Sequence, residues 1–245
     1  MGRAITMPQT RSIDGPIESA DALAAEIAHR IRALPGLNTE RVRAVRREFS
    51  KRLSKASSAT VLEIAGRLLD DPSSDYRFVA YELIRHHRAA LASLRETELE
   101  RFGRGINSWG AVDMFACYLA GPAWRENQVP DKLIHRWAHS KDRWWRRAAL
   151  VSTVPLNSKA QGGSGDTART LAVCRLLVTD RDDMVVKAMS WALRELSKRD
   201  ANAVKQFLDE RQNVIAARVV REVGNKLSTG LKNPRERNAG KSKVR

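Results

Sequence analysis

Between residues 21 and 223, apolar residues return every three or four positions, and the strict alternation of a half-buried strand is nearly absent. This constrains the fold more than any other feature of the chain. Helical segments are expected at 21–34, 39–55, 59–70, 75–87 and 90–102. Another begins at Trp109 behind an Asn107 or Ser108 cap and stops near Gly121-Pro122. Segments at 130–140, 144–153, 168–180, 183–198, 201–211 and 213–223 follow, with a glycine-rich loop at 157–167. About a dozen short helices joined by tight turns suit stacked helical hairpins. The expected fold is therefore all-α, a curved α-solenoid of HEAT-like two-helix repeats.

A repeat is visible in the sequence. DYRFVAYELI, WWRRAALVST and MVVKAMSWAL align loosely around Ala80, Ala149 and Ala188, and Val112 falls in the long gap. The steps of 32, 37 and 39 residues lie close to a HEAT-type period. Residues 1–18 read as a flexible arm, 19–223 as the repeat domain and 224–245 as a basic disordered tail.

Charge bears on partners rather than on fold. The 245 residues carry 44 Lys and Arg against 28 Asp and Glu, a formal net charge of +16. The tail contributes +6 of this, so residues 1–223 are basic in their own right. A polyanion such as DNA or RNA is the natural partner. The two cysteines, Cys117 and Cys174, sit in apolar helical patterns and suit a reducing cytoplasm. No apolar run is long enough to span a membrane, and nothing indicates obligate oligomerisation, so a monomer is expected.

All six tryptophans lie between 109 and 191. In Trp144-Trp145-Arg146-Arg147, successive side chains turn by about 100°, so part of the run is expected to meet solvent or a ligand. Arginine interleaved with indole suits a nucleic-acid groove. Asp113 stands four residues after Trp109, on the same helix face. It is either paired with an arginine or serving as a cap, or else kept to stabilise positive charge developing on a sugar. His135 and His139 have i, i+4 spacing but no third ligand, so no metal and no cofactor are expected. GGSGDT at 162–167 lacks the lysine of a phosphate-binding loop.

SWGAVD at 108–113, WWRRAAL at 144–150 and KAMSWALRELSK at 187–198 together resemble the DNA alkylation repair family of HEAT-like-repeat glycosylases. NTERVRAVRREFSK at 38–51 and DYRFVAYELI at 75–84 are similar to its earlier repeats. The resemblance covers about residues 20–228 and implies hydrolysis of the N-glycosidic bond of N3- and N7-alkylated purines. It implies that Trp109 and Asp113 form the catalytic pair, with Trp191 as an aromatic of the cleft. It also implies that Arg147 is the cleft arginine, holding a phosphate near the lesion. Trp144, Arg146, Lys187 and Arg194 are the further DNA-contacting candidates. The implied partner is duplex DNA containing alkylated bases, with the protein in the cytoplasm and on the nucleoid. A non-catalytic solenoid binding damaged or branched DNA is the alternative. Gly110 departs from the aromatic that many members place after the motif Trp.

Overall fold

The computed structural model describes residues 19–36, 38–71 and 74–234, and among these every regular element is helical. The arm at 1–18 and the end of the tail lie outside the described residues. The helices are α1 (Ala20–Arg32), α2 (Thr39–Arg52), α3 (Ser58–Leu69), α4 (Ser74–Arg85), α5 (Arg88–Ser93) and α6 (Glu96–Gly103). Then come α7 (Trp109–Phe115), α8 (Gly121–Arg125), α9 (Asp131–Ala138), α10 (Arg143–Val151) and α11 (Val154–Asn157). The last four are α12 (Thr167–Leu176), α13 (Asp183–Leu196), α14 (Ala201–Arg211) and α15 (Ala217–Thr229).

These helices form an α-solenoid. In one layer α4, α7, α10, α13 and α15 pack side by side in chain order. The other layer includes α1 against α3, α3 against α5, and α9 against α12. The four aligned positions explain the order: Ala80, Val112, Ala149 and Ala188 are each fully buried, one on each of α4, α7, α10 and α13. Small side chains at these positions let neighbouring helices approach closely. Larger ones fill the core between layers, with Phe49, Tyr81, Phe115, Trp124 and Phe207 at 1% exposure or less. Each such burial contributes roughly 1.5–3 kcal/mol.

Several boundaries differ from the sequence reading. The segment at 90–102 divides into α5 and α6, because Leu94 and Arg95 are extended and Glu98 caps the Arg95 amide at 3.0 Å. Gly121-Pro122 does not stop the α7 segment. A π-helical turn at Ala116–Ala120 carries it into α8, and the Gly121 amide donates to the Ala116 carbonyl five residues back. Pro122 has no N–H to offer the regular ladder, and the wider turn absorbs that loss. Gly121 is obligatory here. A Cβ on it would lie 2.6 Å from Pro155 Cγ and 2.7 Å from the Ser152 carbonyl.

The glycine-rich stretch after α11 is pinned rather than loose. Arg199 donates to the carbonyls of Asn157 (2.7 Å) and Gly163 (3.0 Å), and buried Asn157 donates to Thr170 Oγ1 at 2.8 Å. Finally, the last helix, α15, runs past residue 223 to Thr229 and ends on Gly230 in the left-handed region.

Candidate active site

Asp113 sits at the centre of a three-helix junction. Ser108 caps α7 by accepting from the Ala111 amide at 3.4 Å, which sets Trp109 on the first turn and Asp113 one turn later. From α10, Arg147 makes a bidentate pair with Asp113, Nε to Oδ1 at 2.9 Å and Nη2 to Oδ2 at 2.8 Å. Its remaining nitrogen, Nη1, donates to the Met184 carbonyl of α13 at 2.6 Å. One guanidinium therefore braces α7, α10 and α13 together. Fork-on-fork pairing of this kind is charge-assisted and fixes orientation as well as distance.

Burial differs across the pair. The Arg147 side chain keeps 7% of its exposure, and Asp113 keeps 18%. The carboxylate thus retains a route to solvent that the guanidinium lacks. Burial pushes the Asp113 carboxyl above the ordinary aspartate range, against the opposing hydrogen bonds and charge of Arg147. Each oxygen uses one lone pair on Arg147 and keeps a second for another donor or a cation. The neighbouring Cys117 thiol is pushed up to about 12, first by burial and then by the Asp113 charge, so it stays protonated.

Trp109 is 62% exposed, the most exposed of the large apolar side chains among the described residues. Around Gly110 a Cβ would meet nothing within 4 Å, so the surface beside this indole is open. Trp191 is half-buried on α13, on the same side as Lys187 and Arg194. Lys187 is exposed and paired with Asp183 at 2.6 Å.

Several of the residues expected to contact DNA are engaged within the chain itself. In the free protein each of the three nitrogens of Arg147, the expected phosphate contact, donates one hydrogen bond to Asp113 or Met184. Arg146 is also committed, to Asp180 at 2.7 Å and to the carbonyls of Ser140 and Lys141. It braces the turns before α10 and α13. Arg194 is drawn inward to Ser190 Oγ at 3.2 Å, and burial lowers its pKa. Trp144 is half-buried, with the Arg143 guanidinium 4.9 Å over its ring. Trp145, itself half-buried, packs against the core residues Trp137 and Phe115. Trp144, Trp145 and Arg146 thus keep part of their surface exposed, as the helical turn requires, while Arg147 is buried and both arginines pair with partly buried aspartates from distant parts of the chain.

Sequence reasoning missed Arg85, whose guanidinium stacks 4.1 Å over Tyr118 on the π-helical turn. It also missed Met184, which acts through its backbone carbonyl and so leaves no side-chain signal.

A family model for DNA alkylation repair enzymes matches residues 18–227. The chain belongs to that family. A solved structure described as a predicted DNA alkylation repair enzyme from Enterococcus faecalis shares this repair-family fold, with a TM-score of 0.65. It is 17% identical, and the alignment covers 90% of this chain and all of the other. No curated protein matches the sequence. Within the described residues of this repair-family chain, no group of His, Cys, Asp and Glu could hold a metal ion. No described helix is long and apolar enough to cross a membrane.

Proposed function

We propose that the protein is a DNA glycosylase that releases cationic alkylated purines, of the N3-methyladenine and N7-methylguanine type, from duplex DNA. The observation that carries this reading is the Asp113 carboxylate. It is locked in orientation by Arg147, partly open to solvent, and one helical turn from an exposed indole.

The chemistry asks little of the protein. An alkylated purine already carries a positive charge, so the C1′–N bond breaks with its electron pair leaving on a neutral base, and no protonating acid is needed. The sugar is left oxocarbenium-like. Asp113 faces that cation with its free lone pairs, as glycosidase carboxylates do. Water then forms the C1′–O bond and gives up one proton. Trp109 offers an indole face to the cationic base or sugar, contributing about 1–2 kcal/mol when desolvated. Arg147 is a positioning residue that sets the Asp113 rotamer. The basic repeat surface holds the DNA backbone, and the open space at Gly110 leaves room beside the reacting nucleotide.

A second reading, a non-catalytic solenoid for damaged or branched DNA, is favoured by one observation. The Arg147 pair offsets the Asp113 charge before any substrate arrives. Release of free base from methylated duplex separates the two. Wild type is expected to release N7-methylguanine or N3-methyladenine, while Asp113→Asn binds the duplex without releasing base. Tight, salt-dependent binding by both proteins with release by neither would establish the second reading.

A further inference from the structure

A cavity of about 330 Å³ lies beneath the α6–α7 turn, away from the Asp113 pair. Arg77, Arg101 and Arg104 converge on it, with Asp70, Asn107 and Gly66 also on its wall. Arg77 is 7% exposed and has no carboxylate partner among the described residues. It donates to Tyr81 Oη at 2.9 Å and to the carbonyls of Phe102 and Arg104 at 3.1 and 3.2 Å. Burial pushes the Tyr81 phenol up to about 12, so that partner is neutral as well. The other buried ions among the described residues are paired: Arg147 with Asp113, Glu82 with both Arg43 and Arg46, and Glu222 with Arg218 and Lys232. A buried cation satisfied only by neutral oxygens lacks its counter-ion.

The walls are shaped for one. The Arg101 guanidinium lies on the bare backbone of α3, where a Cβ at Gly66 would stand 2.5 Å from its Nη2 and 2.9 Å from its Cζ. The side chains of Arg101 and Arg104 are otherwise free of hydrogen bonds and ion pairs among the described residues. Three guanidinium groups against one aspartate leave a net charge of +2 on the lining. Fork-shaped donors at this density match a tetrahedral oxyanion. Asn107 closes the cavity two residues before Trp109.

We infer that this cavity is an oxyanion site that takes a phosphate group, supplied in the repair complex by the DNA backbone beside the Trp109 surface. The oxyanion chemistry stands on the arginines alone, and the DNA source rests on the proposed function.

The test uses the full chain and three proteins: wild type, Gly66→Ala and Arg101→Gln/Arg104→Gln. Inorganic phosphate at matched ionic strength is expected to raise the wild-type melting temperature. Gly66→Ala keeps every charge and favours the helix, yet displaces the Arg101 guanidinium, so it folds and loses the response. The double variant loses it too. On unmodified duplex, the double variant is expected to lower the slope of log affinity against log salt by about 0.9, one phosphate contact. A phosphate response with an unchanged slope keeps the oxyanion site and overturns the DNA source. No phosphate response and an unchanged slope, in proteins that still release base, overturn the site and leave the glycosylase standing. Phosphate binding by a wild type that releases no base does the reverse.

Discussion

Replacing Arg147 by Met removes the brace between α7, α10 and α13 while keeping much of its volume. It leaves the Asp113 carboxylate 18% exposed without its cation. Breaking a buried pair by deleting one partner costs about 3–5 kcal/mol, and the residual exposure of Asp113 puts the loss near the lower figure, about 3 kcal/mol. For a chain of this size that lowers the melting temperature by roughly 6–12 °C. The loss carries a pH signature. The Asp113 carboxyl lies above the ordinary range because burial outweighs Arg147. The folded protein therefore holds that proton more readily than the unfolded chain. Its contribution is favourable in acid and is lost as pH rises through the folded value. Arg147→Met deletes both downward influences, so the folded value climbs further and the loss at neutral pH deepens. Thermal melts at about pH 7.5 and about pH 5 are expected to show a deficit that narrows in acid. Asp113→Leu/Arg147→Met, which leaves no buried charge, is expected to recover most of the stability. A deficit under about 1 kcal/mol, or one equal at both pH values, would refute the account of the pair.

Two further outcomes test the site and its frame. Trp109→Ala removes a side chain that is 62% exposed, so stability changes by no more than about 0.5 kcal/mol. Base release by this variant falls roughly five- to thirty-fold, matching about 1–2 kcal/mol of indole–cation attraction, and an unchanged rate would remove Trp109 from the chemistry. Gly121→Ala drives a Cβ into Pro155 and the Ser152 carbonyl. It is expected to cost about 1–3 kcal/mol in a urea melt, and an unaltered midpoint would show that the π-helical turn relaxes freely.

The sequence by itself determined the helical class and the repeat spacing, and it nominated the residues of the candidate site. Helix formation and its stops are local, so the 3.6-residue period and the cap at Ser108 are written in adjacent residues. Trp109 and Asp113 share a face for the same reason. Ala80, Val112, Ala149 and Ala188 announced the stacking because close helix contact requires small residues at regular intervals. Tertiary structure alone decided which arginines are free. Arg146 and Arg147 are neighbours in a motif that reads as a DNA contact, but Asp180 and Asp113 lie 34 residues away in opposite directions along the chain. Only packing of α7, α10 and α13 brings those carboxylates within reach and turns both arginines inward. The same holds for Arg77. Nothing near it in sequence marks it as a buried cation without a counter-ion, because that property belongs to the cavity formed by α3, α4 and the α6–α7 turn.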